Sequence, residues 1–192
     1  MTYREAINLG EKVLNMADVA DAKIDAWLLL EMVCKIDRSF YYLHMEDEVA
    51  EEQLSEYEIA LRKRAEHVPL QYSVGEAEFM GLKFKVNSNV LIPRQDTEIL
   101  VEEVLKELHD GMRVLDMCTG SGCILLSLLH YSNACEGLGV DLSADALEVA
   151  EQNAETLLDA VNADRVHFLQ SDLFDKVEGK FEIIVSNPPY IA

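Results

Sequence analysis

The run VLDMCTGSG at residues 114–122 decides the fold of this chain. Its first half is apolar enough for a buried strand, and Gly120 and Gly122 stand where the chain turns into an apolar stretch with helical spacing. Glycine lets a backbone turn sharply and approach a ligand closely. A strand, a glycine turn and a helix in this order predict the first unit of a parallel sheet with a ligand-binding loop.

The segments after this run continue the alternation of strand and helix. Strands are predicted at 139–141, 166–169 and 181–185, and a helix is predicted at 143–157. Such alternation favours parallel strands joined by right-handed helical crossovers. The sequence therefore predicts an α/β fold for residues 94–192.

The first third of the chain has a helical pattern instead. Apolar residues recur there every three to four positions, which is typical of amphipathic helices that pack on one another. The third of these helices is expected at about 48–67, with acidic residues at its start, where the helix dipole favours negative charge. Residues 1–73 are predicted to form a small helical domain.

A short linker is predicted between the two regions. Residues 79–86 alternate between apolar and polar, and a turn is expected at 87–89. This pattern predicts a β-hairpin linker over residues 74–93. Asp96 is then expected to cap a helix over residues 97–108.

Composition limits what the protein can bind. The chain carries 36 acidic and 16 basic residues, and its net charge of -20 repels phosphate backbones and anionic membrane surfaces. The four cysteines include no Cys-x-x-Cys pair and the five histidines lack metal-ligand spacing, so no metal site is expected. No leader pattern or long apolar run is present, which favours a cytoplasmic location.

The loop after the first strand is the predicted cofactor site. Asp141 ends the next strand and can accept hydrogen bonds from a ribose diol. A dinucleotide site needs a third glycine, a nucleoside triphosphate site needs Gly-Lys-Ser/Thr, and the loop has neither. Asp116 would repel phosphate but suits the amino and sulfonium groups of S-adenosylmethionine. The predicted cofactor-binding residues are Asp116, Cys118, Thr119, Gly120, Ser121, Gly122, Asp141, Asp172, Leu173 and Asn187.

Two of these residues follow the strand predicted at 166–169. Asp172 could accept a hydrogen bond from an adenine amino group, and Leu173 could cover the adenine ring. The alternative is a helix N-cap followed by a leucine of the core. Neither residue alone separates the two interpretations.

The last apolar strand runs directly into Asn187, Pro188, Pro189 and Tyr190. An amide, two prolines and an aromatic ring together can hold a planar nitrogen nucleophile. Alone, the motif also fits a proline-rich turn. After a glycine-loop strand and an acid-ended strand, it favours a catalytic site, and these four residues are the predicted catalytic residues.

These motifs resemble those of the class I, Rossmann-like methyltransferases that use S-adenosylmethionine and carry Asn-Pro-Pro-Tyr after the fourth strand. Within that group the chain resembles the protein-(glutamine-N(5)) methyltransferases that modify peptide chain release factors. The most specific part of the resemblance is the linker, at 69–72, Gly75, 79–84 and 90–98. The resemblance implies methylation of a glutamine side-chain amide in a release factor, which the helical domain would dock.

An amide nitrogen is a poor nucleophile, so positioning is the expected catalytic task. The Asn187 side-chain carbonyl can accept one N–H of the substrate amide, and the Pro188 backbone carbonyl can accept the other. The prolines stiffen the loop, and Tyr190 can pack against the flat amide. Arg94 either reaches the active site or pairs with Glu98, and the sequence does not separate these roles.

The chain departs from the family pattern in two places. Cys118 stands where a glycine is common, which affects how the loop backbone turns. The resemblance also implies a seven-stranded sheet, whereas the sequence predicts only four of its strands. Residues 94–192 would then be the N-terminal part of a methyltransferase domain, with an incomplete sheet. An exposed apolar edge is expected, with weak activity or self-association.

Two other functions remain open from the sequence. A DNA adenine amino-methyltransferase would also use Asn-Pro-Pro-Tyr on a planar nitrogen, but the charge of -20 and the absence of a basic region disfavour it. A truncated, non-catalytic module that binds a release factor is the second alternative. Cofactor turnover separates it from an enzyme.

Overall fold

The computed structural model describes residues 1–189 of the chain. The chain divides into two compact units, one from Met1 to Val74 and the other from Gly75 onward. Each unit has its own cluster of buried apolar side chains. The described residues contain no helix that is long and apolar enough to cross a membrane.

The first unit is built from helices. They are α1 (Tyr3–Met16), α2 (Ala22–Cys34), α3 (Arg38–His44), α4 (Glu51–Ala65) and α5 (Leu70–Val74). Thr2 and Glu5 form a capping box at the start of α1, which satisfies amide groups that the helix leaves free. Tyr57 of α4 is fully buried, and its hydroxyl donates to the Ala26 carbonyl at 3.1 Å. Gly10 leaves the space that this ring occupies, since a Cβ there would lie 2.1 Å from the Tyr57 hydroxyl oxygen.

The second unit is an α/β layer structure. Its elements are β1 (Glu76–Phe79), β2 (Leu82–Lys85), α6 (Gln95–Glu107), β3 (Arg113–Met117), α7 (Cys123–His130), β4 (Glu136–Asp141), α8 (Ala144–Leu157), α9 (Ala160–Ala163), β5 (Val166–Gln170) and β6 (Ile183–Ser186). Four strands pair in the order β5-β4-β3-β6, and every pair is parallel. Apolar residues of α7 pack into the core, and Leu125 and Leu128 are fully buried. The predicted parallel sheet is confirmed.

The linker hairpin turns earlier than predicted. β1 and β2 pair as an antiparallel hairpin, so the chain reverses at Met80 and Gly81 rather than at 87–89. Both residues have positive φ, 51° and 71°, as a two-residue hairpin turn of type I′ requires. The structure thus has the predicted hairpin, but the predicted position of its turn was wrong because the apolar alternation at 79–86 continues through the turn at Met80 and Gly81.

The start of α6 also differs from the prediction. The helix begins at Gln95, and Arg94 is the N-cap residue without a side-chain cap hydrogen bond. Asp96 therefore lies inside the first turn, where its negative charge is still favourable to the helix dipole. The prediction of Asp96 as the cap was wrong by two positions.

Within residues 1–189, β6 forms one edge of the four-stranded sheet. It pairs with β3, with Ser186 opposite Met117. Ile184 of this strand is 56% exposed. The described part of the chain thus has an apolar side chain at this edge, as expected from the sequence.

Candidate active site

A cavity of about 700 Å³ opens at the carboxyl ends of the parallel strands. Ligands of open α/β sheets bind at this edge, because the loops that follow neighbouring strands meet there. Eight of the predicted site residues line the cavity: Cys118, Gly120, Asp141, Asp172, Leu173, Asn187, Pro188 and Pro189. Tyr190, the remaining predicted catalytic residue, lies outside the described residues.

The glycine loop is held against the next strand. The Thr119 amide donates to the Val140 carbonyl at 2.9 Å, which carries the loop across the end of β4. Gly120 has a φ of 56° and faces open space, since a Cβ there would meet no atom within 4 Å. Cys118, at the position of the family's glycine, has a φ of 62°. A left-handed conformation costs a non-glycine residue about 1–2 kcal/mol, so the loop keeps its shape despite this substitution.

Asp141 is fixed by hydrogen bonds to both carboxylate oxygens. The Gly120 amide donates to Oδ2 at 2.9 Å, and the Ser143 amide donates to Oδ1 at 3.0 Å. Each carboxylate oxygen retains a further lone pair. Asp141 therefore faces the cavity as an oriented acceptor that fits a pair of hydroxyl groups.

Asp116 occupies a different position from the one expected of a cofactor ligand. Its side chain is fully buried, and the Thr119 hydroxyl donates to Oδ2 at 2.7 Å. Burial is the main cause that raises the pKa of Asp116 to about 7; the nearby charge of Asp141 adds to the rise, and the Thr119 hydrogen bond opposes it. Asp116, Thr119, Ser121 and Gly122 are not among the residues that line the cavity. They build the loop beneath it, and direct cofactor contact by these four stays a prediction.

Asn187 follows β6 and is tethered from α6. Its Nδ2 donates to the Thr97 hydroxyl oxygen at 3.2 Å. The preceding Ser186 hydroxyl donates to the Met117 carbonyl at 2.7 Å, which ties this loop to β3. With Nδ2 occupied, Oδ1 is the end of the amide that remains available as an acceptor. This arrangement suits recognition of an N–H group.

The segment after β5 contributes apolar surface to the cavity. Leu173 is 56% exposed and has a φ of 48°, in a turn rather than in a helix. The Ser171 amide donates to the Asp141 carbonyl at 3.0 Å, which holds this turn beside β4. These positions favour the ring-covering interpretation of Leu173 over that of a core leucine after a helix cap.

Sequence reasoning missed several apolar residues of the cavity, among them Leu91 and Leu142. They are 49% and 66% exposed. Leu142 directly follows Asp141, so its position beside a strand-terminal acid was an available signal. Leu91 belongs to the linker stretch that carries the family resemblance, and no local pattern marked it.

The cavity fits S-adenosylmethionine on its own features. Its volume lies within the range of roughly 300–1,000 Å³ that small-ligand sites occupy. Its lining combines leucines that can cover a flat ring with the oriented carboxylate of Asp141. No basic side chain lines it, so a phosphate group would lack a charged partner among the described lining residues.

Two family models match the chain, one in each unit. Residues 5–75 match the PrmC N-terminal domain model, and residues 94–192 match the methyltransferase small domain model. A solved SAM-dependent methyltransferase from Geobacter sulfurreducens, in complex with S-adenosyl-L-homocysteine, aligns with 44% of this chain and 31% of its own, at 31% identity and a TM-score of 0.35.

Curated relatives match this chain along its whole length. The release factor glutamine methyltransferase of Clostridium acetobutylicum is 44% identical, and this chain spans 68% of its length. The protein of the same name from Moorella thermoacetica is 40% identical, again over 100% of this chain and 68% of the relative. The chain therefore belongs to the release factor glutamine methyltransferase family.

Proposed function

We propose that this protein transfers a methyl group from S-adenosylmethionine to the side-chain amide nitrogen of a glutamine in a peptide chain release factor. One observation carries the proposal. Asn187 and its two prolines line the same cavity as Asp141 and the glycine loop, so an amide acceptor and a ribose acceptor face one space. The relatives' names supply the substrate class.

The cofactor would be held by residues that already face the cavity. Asp141 would accept hydrogen bonds from the ribose hydroxyls, and Leu142 and Leu173 would cover the adenine ring. Asp172 would accept from the adenine amino group. S-adenosylmethionine supplies the electrophilic methyl group on its sulfonium. The protein's own residues therefore have the task of presenting the nucleophile.

Asn187 would orient the substrate amide. The nitrogen lone pair of an amide is delocalised into its carbonyl, so attack requires a nitrogen held in line with the methyl group. Oδ1 of Asn187 would accept one N–H, and the Pro188 backbone carbonyl would accept the other. Two such neutral hydrogen bonds contribute only about 1 kcal/mol each to net stability. Orientation lowers the activation barrier by more, on the order of 7–11 kcal/mol, because the two reacting groups are already held in a near-attack geometry.

The loop around these acceptors has little freedom to relax. Pro188 and Pro189 each fix φ near -65°. Ser186 anchors the start of the loop to the Met117 carbonyl, and Thr97 anchors the Asn187 amide. Transfer would leave S-adenosylhomocysteine and a positively charged N-methylated amide nitrogen, which is acidic enough to lose its proton to water. This chemistry requires no strong base in the site.

The helical unit would dock the release factor. α3 buries none of its residues, and Tyr42 and Leu43 are 63% and 81% exposed. Exposed apolar side chains next to each other are typical of protein contact surfaces. A docking role for residues 1–73 agrees with a helical unit that has a core of its own.

The test is methyl transfer from labelled S-adenosylmethionine to purified release factor and, separately, to DNA. Label is expected on a glutamine of the release factor, and label on adenine would contradict the proposal. Asn187→Ala should lower the transfer rate at least about 100-fold while cofactor binding, measured by calorimetry, is retained. Gln152→Ala is the matched control, because it removes an exposed amide from α8. Near-normal transfer by Asn187→Ala would refute the orienting role.

A further inference from the structure

Thr97 contacts neither substrate nor cofactor in the function proposed above, yet its hydroxyl oxygen accepts the hydrogen bond that holds the Asn187 amide. The two residues are 90 positions apart in the chain, and the Thr97 hydroxyl oxygen lies 3.2 Å from Asn187 Nδ2. Thr97 is not among the cavity-lining residues. Among the described residues, its side-chain hydrogen bond to a residue of the cavity is the one to Asn187.

We propose that Thr97 is a positioning residue that sets which end of the Asn187 amide faces the substrate. The inference rests on the proposed function, because the substrate amide needs an acceptor. The two ends of an asparagine amide have nearly the same shape but opposite hydrogen-bonding character. A rotation of the amide by 180° would present Nδ2 to a substrate N–H, so that two donors would face each other.

The first turn of α6 is itself held in place, as a positioning residue requires. The Thr97 amide donates to the Arg94 carbonyl at 2.9 Å, which closes the first helical turn. Glu98, the next residue, accepts a hydrogen bond from the Met80 amide at 2.6 Å, and this contact ties α6 to the hairpin. Val101, one turn later, is fully buried in the core. The Thr97 hydroxyl is thus presented to Asn187 by backbone that is anchored on both sides.

Removing the hydroxyl should affect turnover rather than cofactor binding. In Thr97→Val the side chain keeps its shape, but Nδ2 of Asn187 loses its acceptor and the amide can rotate. A hydrogen bond of this kind changes an equilibrium by about threefold to tenfold. We expect kcat for release-factor methylation to fall by about that factor, with the KM for S-adenosylmethionine unchanged.

Three variants of the full chain test this inference. Thr97→Val removes the hydroxyl, Thr97→Ser restores it without the methyl group, and Thr156→Val removes a threonine hydroxyl from α8. The inference expects a lower kcat only for Thr97→Val, with kcat of Thr97→Ser within about twofold of wild type. A Thr97→Val enzyme with wild-type kcat, or a Thr97→Ser enzyme as slow as Thr97→Val, would overturn it.

A second measurement does not depend on activity. The side-chain NH2 resonances of Asn187, identified by their loss in Asn187→Ala, should shift and exchange faster with water in Thr97→Val and return in Thr97→Ser. Unchanged resonances in Thr97→Val would overturn the contact. A wild-type chain that methylates neither release factor nor DNA would instead refute the proposed function. The NH2 resonances of Asn187 would still show whether Thr97 holds the amide.

Discussion

Replacing Asp116 with asparagine should change how the stability of the second unit depends on pH. The fully buried carboxyl has its pKa raised from 3.8 to about 7, chiefly by burial. Asparagine has nearly the same shape and can still accept the Thr119 hydrogen bond, but it does not ionise. The difference of about three pKa units corresponds to about 4 kcal/mol between the ionised and neutral forms.

The sign follows from proton binding. Between the unfolded pKa near 3.8 and the folded pKa near 7, the folded state binds the Asp116 proton and the unfolded state does not. The contribution of this group to the free energy of unfolding is therefore fully present below pH 4, and it is lost progressively as pH rises to 7. Asp116→Asn lacks this loss, so its stability relative to wild type should rise with pH across the window and then become constant.

The measurement has to avoid the acid end of the window, because the sequence pI is about 4.4 and the protein will have little net charge there. Between pH 5.5 and 7 the relative stability of Asp116→Asn should rise by about 2 kcal/mol. Trp27, the one tryptophan of the sequence, belongs to the first unit, so its fluorescence does not report on Asp116. Hydrogen exchange of the β3 and β4 amides, corrected for intrinsic rates, reports the second unit directly.

Asp110→Asn is the control for loss of one negative charge, because Asp110 is exposed and lies in the same unit. Its relative stability should show no rise across this window. If Asp116→Asn behaved like Asp110→Asn, the Asp116 carboxyl would be ionised in the folded protein at pH 5.5. The explanation of its raised pKa by burial would then be refuted.

The remaining predictions concern the helical unit. Gly10→Ala should destabilise it by about 2–3 kcal/mol, because the new Cβ would displace the buried Tyr57 ring and its hydrogen bond to the Ala26 carbonyl. Urea unfolding followed by tryptophan fluorescence measures this, and an unchanged midpoint would contradict the close packing. Tyr42→Ser together with Leu43→Asp should raise the KM for whole release factor at least about fivefold and leave the KM for a short glutamine peptide unchanged. Equal effects on both substrates would exclude a docking role for α3.

Local sequence patterns were sufficient for the family and the fold class. The glycine turn after a buried strand, the acid at the end of the next strand and the Asn-Pro-Pro-Tyr motif are each contained within a few residues. The family-model match and the curated relatives confirm the predicted family, the α/β methyltransferase fold and S-adenosylmethionine as cofactor. The domain boundaries and the roles of individual site residues stay predictions.

The errors arose where a local pattern allowed two structures. Alternation at 79–86 fits one strand as well as a hairpin, and the positive φ of Met80 is not marked in the sequence, since methionine rarely adopts it. Asp96 is a good cap residue placed two positions into the helix. The cofactor contact predicted for Asp116 is not among these errors and stays a prediction, because its side chain is buried beneath the loop that borders the cavity.

The contacts that position the site join residues far apart in sequence, and this is why residue patterns could not reveal them. Asn153 is fully buried within α8, where an asparagine would be expected to face solvent. Its Nδ2 donates to the Ser121 carbonyl at 2.9 Å and to the Lys85 carbonyl at 3.1 Å, while its Oδ1 accepts from the Lys85 amide at 2.7 Å. A buried amide with no partners would cost several kcal/mol, so the fold tolerates Asn153 only with the hairpin and the glycine loop both in place.

Thr97 and Asn187 form a similar link between α6 and the end of β6. In both cases a polar side chain fixes a loop of the cavity to a distant element, 32 residues away in the first case and 90 in the second. The shape of the site therefore depends on the fold of the whole second unit.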